Sequence, residues 1–481
     1  MKKLINLLLV LGLVGPLLFS GTPRVSADSE SVTIDPLVQQ AIEDGQNQFQ
    51  VIITFYGDEK PTPENVNLLE KIGISKGITL KSLPMIATVI TKQEIDSLKD
   101  NNSVRSIYLN RELTYFNAES TELTGVDKVR TDDEMRKWNG GLPVTGNGIG
   151  VIVNDSGVDG THQDLEYGIH LVENVAANAN LNSFSPDFLP ITYVENVPNT
   201  DTNSGHGTHV AGIVGATGEM SGGLYEGVAP DADLIGYGSG AALFILDAIG
   251  GFDYAVTHQS EYNIRVITNS WGSTGDFDPN GPINIASKKA YDHGITVLFA
   301  AGNAGPEENT QNPYAKAPWV ISVAAGEKDG STLADFSSRG TEGKGGTFEI
   351  DGETWTWEDS PTITAPGVDI ISTRTLAPIP VLGATKDAEL IKPAYLPFYT
   401  TLSGTSMATP HVAGIVALML EANPLLSPAE TKEIIQQTAT NMPGYEDWEA
   451  GAGYVNAYAA VDQSFNGEQD KMFKKHHALM K

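Results

Sequence analysis

The feature that most constrains this chain is a regular alternation of short apolar runs and helical stretches, which begins near Gly148. The runs are rich in β-branched residues and continuously apolar, as expected for strands buried on both faces of a sheet. They lie at 151–153, 233–235, 265–268, 295–299 and 319–323. Stretches 241–258 and 284–292, with helical spacing, lie between them. The alternation predicts an α/β domain with a doubly wound, mostly parallel sheet flanked by helices.

The N-terminal residues have the pattern of a secretory signal. Lys2 and Lys3 precede an apolar run over 4–19, and the run is shorter than the roughly 20 residues that a membrane-spanning helix needs. Val25-Ser26-Ala27 then places small residues where a signal peptidase cuts. We therefore expect residues 1–27 to be a signal peptide, and the mature protein to be extracellular and free of the membrane.

Composition divides the remainder and limits its partners. Residues 28–116 indicate a small α+β unit that carries no constellation of reactive side chains, 117–465 form the main domain, and 466–481 are a polar C-terminal tail. The formal charge of −30 would repel nucleic acid, so no nucleic acid partner is expected. The chain has no cysteine, which rules out disulfides, thiolate metal sites and a cysteine nucleophile. We expect a monomer.

Four side chains with complementary chemistry stand at the edges of predicted elements. Asp155 follows the first apolar run in the sequence NDSG, and Asn303 follows another run in AAGN. His206 opens a helix in GHGTHVAG, and Ser406 opens an apolar helix in GTSMATP. Ligands of doubly wound sheets bind at the carboxyl ends of the strands. All four side chains are therefore predicted to face one crevice.

These residue types together suit acyl transfer. A serine hydroxyl becomes a nucleophile when an imidazole accepts its proton, and a buried carboxylate holds that imidazole in the right tautomer. The oxyanion of the tetrahedral intermediate needs donors, which a helix N-terminus and the amide of Asn303 could supply. His209, three residues after His206, lacks the glutamate of an HExxH site, so a metal site is disfavoured.

The motifs DSG, GHGTHVAG and GTSMATPHVAG, in this order, resemble those of the subtilisin-like serine proteases, or subtilases, over residues 126–462. An α/β-hydrolase would have the order Ser, acid, His and a GxSxG elbow, whereas Ala408 stands at the fifth position here. The resemblance implies a subtilisin-like fold and a serine endopeptidase that cuts extended or unfolded polypeptides through an acyl-enzyme, without a cofactor for the chemistry. It implies Asp155 as orienting acid, His206 as general base, Ser406 as nucleophile and Asn303 as oxyanion donor.

The resemblance also implies how a substrate binds. An extended peptide would lie between two strand edges, held mainly by main-chain hydrogen bonds. The residues implied are Gly238, Ser239 and Gly240 on one edge, Ser270, Trp271 and Gly272 on the facing edge, and Gly302 in the wall of the S1 pocket. For Gly238 and Gly240, a plain glycine turn is the alternative.

The small unit at 28–116 resembles a subtilase propeptide in position, size and element order. The resemblance implies that it assists folding and then occupies the cleft as an intramolecular inhibitor. Maturation by self-cleavage is expected between Leu113 and Thr121.

Structural calcium is an expectation of the same resemblance. Asp164 matches one usual ligand, but the stretch 217–226 lacks the asparagine-centred calcium loop of many relatives. Asp276, Asp278 and Asn280 resemble the opening of a D-x-D-x-N-G calcium loop, yet its twelfth position is Ser287 rather than glutamate. A plain turn is favoured there.

Two segments lengthen the interval between His206 and Ser406. Residues 343–360 predict an inserted hairpin, and the proline-rich residues 377–397 predict a surface loop. Two alternatives to a protease stay open at this point. One is a non-catalytic secreted binding or surface protein with a subtilase fold, and the other is a secreted esterase.

Overall fold

The computed structural model describes residues 32–43, 45–115, 121–177, 188–238, 240–376 and 384–467. The predicted signal peptide at 1–27 and nearly all of the predicted C-terminal tail, from 468 onward, lie outside these residues. Within the described ranges, no helix has both the length and the apolar character that crossing a membrane requires.

The N-terminal unit is an α+β layer with a hydrophobic core of its own, which residues such as Val51, Ile53 and Ile107 share with its helices. Capping boxes begin two of its helices, at Thr62 and Thr91. Its elements are β1 (Thr33–Ile34), α1 (Pro36–Glu43), β2 (Phe49–Phe55), α2 (Pro63–Lys71), β3 (Gly77–Thr79), β4 (Met85–Ile90), α3 (Lys92–Leu98), β5 (Val104–Leu109) and β6 (Glu112–Tyr115).

The main domain follows with alternating strands and helices. Its elements are α4 (Val126–Thr131), α5 (Asp133–Trp138), β7 (Gly150–Asn154), β8 (Leu171–Ala176), β9 (Phe188–Pro190), α6 (His206–Gly215), β10 (Asp233–Gly238), β11 (Leu243–Phe244), α7 (Ile245–Thr257), β12 (Ile264–Asn269), β13 (Trp271–Gly272), α8 (Pro282–Asp292), β14 (Thr296–Ala300), β15 (Val320–Gly326), β16 (Gly345–Ile350), β17 (Glu353–Glu358), β18 (Ile363–Pro366), β19 (Ile370–Thr373), α9 (Ala384–Leu390), β20 (Tyr399–Leu402), α10 (Thr405–Ala422), α11 (Pro428–Gln437) and α12 (Asp447–Ala450).

The central sheet has the strand order β18-β15-β14-β12-β7-β10-β8, and each neighbouring pair is parallel. Val151 and Val153 of β7 join the core on the side of α6 and α10, and Ile152 joins the core on the side of α7 and α8. Side chains of a strand alternate between its faces, so a run that is apolar at each position can be buried on both. The predicted doubly wound α/β fold is confirmed.

The two predicted insertions differ in outcome. Strands β16 and β17 pair antiparallel, which confirms the hairpin. The prediction of a loop over 377–397 is wrong in part, because α9 lies within it; residues 377–383 are outside the described part of the chain. Asp387 of α9 is buried and accepts hydrogen bonds from the Thr401 N–H at 2.6 Å and the Thr400 hydroxyl at 2.9 Å. These bonds tie the helix to β20, a contact that the local proline content does not reveal.

The N-terminal unit meets the main domain at several places. β6 lies between β11 and β13 and pairs antiparallel with both. β9 of the main domain pairs parallel with β3 of the unit. Asp253 of α7 accepts hydrogen bonds from the Ser82 N–H at 2.7 Å and the Ser82 hydroxyl at 2.6 Å. The loop before α8 also contacts β5, because the Nε–H of Arg105 donates to Oδ1 of Asn280 at 2.7 Å.

Candidate active site

Asp155 and His206 form a buried pair at the carboxyl edge of the sheet. Asp155 follows the last residue of β7 and is fully buried, while His206 is the first residue of α6. The Nδ1 atom of His206 lies 2.5 Å from Oδ1 of Asp155, and the N–H of Ser156 donates to the same oxygen at 2.7 Å. A carboxylate only accepts, so this contact places a proton on Nδ1. Nε2 is then the nitrogen that can take a proton from a nucleophile.

A second buried carboxylate, Asp201, supports this pair and was missed by the sequence analysis. It accepts from the Thr208 hydroxyl at 2.6 Å, from the Gly205 N–H at 2.8 Å and from the Ser156 hydroxyl at 3.1 Å. Burial raises the pKa of Asp201. These bonds fix the first turn of α6 against the residue after Asp155, so Asp201 is a positioning residue. The sequence marks this role of Asp201 only by placing an acidic residue five positions before His206.

Ser406 is the second residue of α10 and is fully buried. Its hydroxyl donates to the carbonyl of Ser270 at 2.7 Å, and the hydroxyl of Ser270 donates to the carbonyl of Ser406 at 2.5 Å. The reciprocal pair ties the start of α10 to the end of β12, the neighbour of β7. In this structure the proton of the Ser406 hydroxyl is therefore directed to the carbonyl of Ser270.

Asn303 is oriented by the first residue of α10. Its Oδ1 accepts from the N–H and the hydroxyl of Thr405, both at 2.9 Å. A backbone N–H only donates, so the atom facing it is the amide oxygen, and Nδ2 remains as the donor of this side chain. Thr405 also accepts from the Gly302 N–H at 3.1 Å. Thr405 therefore holds the predicted oxyanion donor against the first turn of α10, a role that the sequence analysis did not assign.

The facing edge of the predicted peptide-binding cleft holds a strand of the chain itself. Trp271 and Gly272 form β13 and pair with Tyr115 and Thr114 of β6. The ring of Trp271 is fully buried, and its Nε1–H donates to the carbonyl of Asn154 at 2.6 Å. The indole therefore anchors β13 in the core, while the backbone of β13 pairs with β6.

The other edge of the cleft includes residues beyond the predicted glycines. The pairing with β6 is made there by Leu243 and Phe244 of β11, which the sequence analysis did not single out. Gly238 ends β10 against the backbone of residues 155–157, and the N–H of Gly240 donates to the carbonyl of Ser156 at 2.7 Å. Ser239 lies outside the described residues.

Gly302 stands where a side chain has no room. Its φ is +112°, a conformation that favours glycine, and a Cβ atom there would lie 2.7 Å from the hydroxyl of Ser338. A bare backbone is thus required at the predicted wall of the S1 pocket.

The calcium candidates have other partners. Both carboxylate oxygens of Asp164 accept hydrogen bonds, one from the Met220 N–H at 2.9 Å and one from the hydroxyl of Tyr399. In the second candidate, Asp278 accepts from the hydroxyl of Tyr108 and Asn280 accepts from Arg105. The described part of the chain contains no cluster of three or more His, Asp or Glu side chains placed to hold a metal. In both candidates, the side-chain oxygens of Asp164, Asp278 and Asn280 are thus engaged by protein donors.

His209 lies in the same helix as His206 but serves packing. It is fully buried, its Nε2 contacts the carbonyl of Thr400 at 3.0 Å, and burial lowers its pKa to about 3. A histidine with this pKa stays neutral at physiological pH. It therefore adds no charge beside His206.

Comparisons with known proteins show which family the chain is similar to. A family model described as the Subtilase family matches residues 146–455. The chain is 32% identical to serine protease AprX of Bacillus subtilis over 382 residues, which are 76% of each protein. It is 27% identical to a subtilisin of Bacillus sp. strain TA39 over 440 residues, 88% of this chain and 90% of that protein. Among solved structures, the S41 psychrophilic protease matches with a TM-score of 0.51 and 28% identity, over 69% of this chain and 97% of the other.

Proposed function

This chain belongs to the subtilase family and is a serine endopeptidase, and we propose that it cuts extended or unfolded polypeptides with Ser406, His206 and Asp155. The observation that carries the proposal is the 2.5 Å contact between His206 and the buried Asp155, on the sheet edge where the helix of Ser406 begins. This pair gives the imidazole the tautomer that a general base needs.

The proposed reaction proceeds in two halves. The hydroxyl of Ser406 passes its proton to Nε2 of His206, and Oγ bonds to the carbonyl carbon of the peptide. The C–N bond then breaks, and His206 gives its proton to the leaving amine, which leaves an ester on Ser406. Water next passes a proton to His206 and attacks the ester, and Ser406 recovers its proton as the acid leaves. Protein groups and water carry each step, so we propose that the chemistry needs no cofactor.

Asn303 is proposed to donate to the oxyanion. We expect Asn303→Ala to lower kcat by about 10²–10³, because one preorganised donor is lost. Asn303→Asp keeps an oxygen for Thr405 but removes the donor, so it should lose at least as much activity. Steady-state kinetics of both variants test this, with melting temperatures as a check of the fold. An active Asn303→Asp enzyme would show that the residue only holds Thr405.

We propose that the N-terminal unit is the inhibitory propeptide and that the enzyme removes it. The support is β6, whose backbone lies between two edges as a substrate would. Thr114 pairs with Gly272 and Tyr115 with Trp271. An antiparallel ladder advances one residue on each strand, so the residue due to bind beside Ser270 during cleavage is Phe116, which is outside the described residues. Ser270 is the hydrogen-bond partner of Ser406.

The ladder thus predicts a cut between Phe116 and Asn117. N-terminal sequencing should show that the processed enzyme begins at Asn117. Phe116→Glu should slow processing by at least about tenfold, because the apolar pocket implied by the family would leave the carboxylate unpaired, whereas Phe116→Leu should be processed well. A different first residue would contradict the register.

The remaining assignments are also proposals. We propose secretion, supported by the signal pattern at 1–27, polypeptides as the substrates, and a monomeric enzyme without nucleic acid or membrane partners. Structural calcium stays a prediction. Casein and short-ester assays on the processed enzyme test the substrate class, since an endopeptidase should cleave both and an esterase only the ester.

A further inference from the structure

We propose that a cavity outside the cleft binds the guanidinium group of an arginine within a polypeptide. This cavity, which we call the hairpin cavity, lies between the base of the inserted hairpin of β16 and β17 and the helix α12. Its volume of about 490 Å³ lies within the range of sites that hold a small ligand. The inference rests on the proposed function and deepens it, because it names a feature of the polypeptides that the enzyme binds.

Two tryptophan rings line the hairpin cavity, and both are half-buried. Trp357 lies near the end of β17, and its ring packs against Phe277 with 5.0 Å between the ring centroids, which holds it in place. Gly346, its partner in the hairpin, has no side chain to cover the indole, since a Cβ atom there would lie 3.4 Å from Nε1 of Trp357. Trp448 is contributed by α12. A cation over the face of an indole is attracted by the negative π-surface of the ring.

Exposed carboxylates surround these rings. The hairpin cavity is lined by Glu342, Glu358, Glu446 and Asp447, and none of the four forms an ion pair within the described part of the chain. Among the described residues that line the cavity, Lys344 is the one unburied basic residue, and its ammonium lies 3.6 Å from both Asp276 and Asp359. The charge of Lys344 is therefore already matched, and the cavity keeps an excess of negative charge.

The spacing of the carboxylates favours a flat organic cation over a metal ion. Within the described ranges, no three His, Asp or Glu side chains converge closely enough to hold a metal, which needs several oxygens around one point. A guanidinium is planar and carries five N–H donors, so it stacks on an indole and donates to carboxylates on different sides. An ammonium is a compact point charge without this geometry. The hairpin cavity is therefore better suited to arginine than to lysine.

The hairpin cavity adjoins the proposed cleft. Lys344 donates to Oδ1 of Asn309 at 2.7 Å, and the N–H of Asn309 donates to the carbonyl of Gly340 at 2.8 Å. These contacts join the cavity to the segment that follows Gly302, and the contact of Lys344 with Asp276 joins it to the loop that follows β13. A polypeptide held in the cleft and in the cavity gains affinity, because its second contact forms at a high effective concentration.

The test uses the full chain with Ser406→Ala, in which β6 occupies the cleft, so that a peptide has only other surfaces to bind. The probes are a glycine–serine heptapeptide with one central arginine, the same peptide with glutamine in its place, and agmatine. Dissociation constants are measured by saturation-transfer NMR at low salt, because exposed charges are screened by added ions. The test variant carries Glu358→Gln and Asp447→Asn, and the control carries Glu261→Gln and Asp133→Asn, at exposed positions outside the cavity.

We expect the parent and the control to bind the arginine peptide alike, and at least about tenfold more tightly than the glutamine peptide. The test variant should bind the arginine peptide at least about fivefold more weakly, because two charge-assisted contacts are lost. Melting temperatures verify that each variant is folded. Equal affinities of the test variant and the control would overturn the proposal, as would equal affinities for the two peptides.

Two further outcomes separate the parts of the proposal. Agmatine that binds as tightly as the arginine peptide would overturn the assignment to a polypeptide, because the main chain would then add nothing. Binding by the Ser406→Ala chain does not depend on catalysis. A wild-type enzyme that hydrolyses no casein, while the Ser406→Ala chain binds the arginine peptide as expected, would therefore count against the proposed function alone.

Discussion

A chain carrying Ser406→Ala is expected to keep its N-terminal unit, while the wild type loses the residues up to Phe116. Removing the nucleophile of such a triad lowers kcat by about 10⁶, because no other group can form the acyl-enzyme. Intact mass of the two purified precursors, refolded side by side, measures the outcome directly. Casein hydrolysis should fall by a comparable factor. The substitution removes one hydroxyl that bonds Ser270, so the fold should be retained.

Ser403→Ala is the matched control for this experiment. Ser403 is exposed and three residues earlier, and its hydroxyl bonds Asp369 rather than a residue of the proposed triad. It should process and turn over like the wild type. Loss of the unit from the Ser406→Ala chain in the absence of other proteases would show that Ser406 is not the group that cuts. If both the wild type and the Ser406→Ala chain keep the N-terminal unit under folding conditions, self-processing is removed from the proposed function.

Asp155→Asn is expected to leave the fold in place and to lower kcat by about 10⁴. The amide can present its N–H₂ to the imidazole, which favours the tautomer with the proton on Nε2, and such a histidine cannot accept the proton of Ser406. The negative charge that stabilises the imidazolium is lost as well. The measurements are kcat and KM on a peptide substrate, with KM expected to change little because Asp155 is buried beneath His206.

Two comparisons sharpen this result. Asp133→Asn, at an exposed position of α5, should have no effect. The kcat of Asp201→Asn should lie between the values for Asp155→Asn and Asp133→Asn, because Asp201 acts through the first turn of α6 and not on the imidazole itself. An Asp155→Asn enzyme within about tenfold of the wild type would contradict the proposed role of Asp155.

Local pattern was sufficient for five of the seven strands of the central sheet, whereas the edge strands β8 and β18 were not predicted. A run such as 151–153, apolar at each position, is compatible with β7 because both faces of β7 are covered. Once the strands are parallel, the residues that follow them share one edge, which is why Asp155 and Asn303 could be predicted to lie near each other. The hairpin of β16 and β17 was likewise marked by its own turn residues.

Contacts between distant parts of the chain could not be predicted in this way. Asp201 and Thr405 are ordinary polar residues in the sequence, and their roles follow from which donors the fold brings to them. α9 lies in a proline-rich segment, and its buried Asp387 acquires a function only when β20 packs beside it. One of the two strands that pair with β6 is β11, which lies a few residues beyond the predicted glycines, because strand register depends on the whole interface.

The sequence by itself determined the α/β alternation, the candidate catalytic residues and the existence of a separate N-terminal unit, since periodicity and short motifs are local properties. Only the tertiary structure decided the 2.5 Å contact of His206 with Asp155, the binding of β6 in the cleft and the use of the calcium-like loop as an acceptor surface for Arg105 and Tyr108. Each of these joins residues that are tens or hundreds of positions apart. Their geometry depends on how whole elements pack, and no local pattern of residues encodes it.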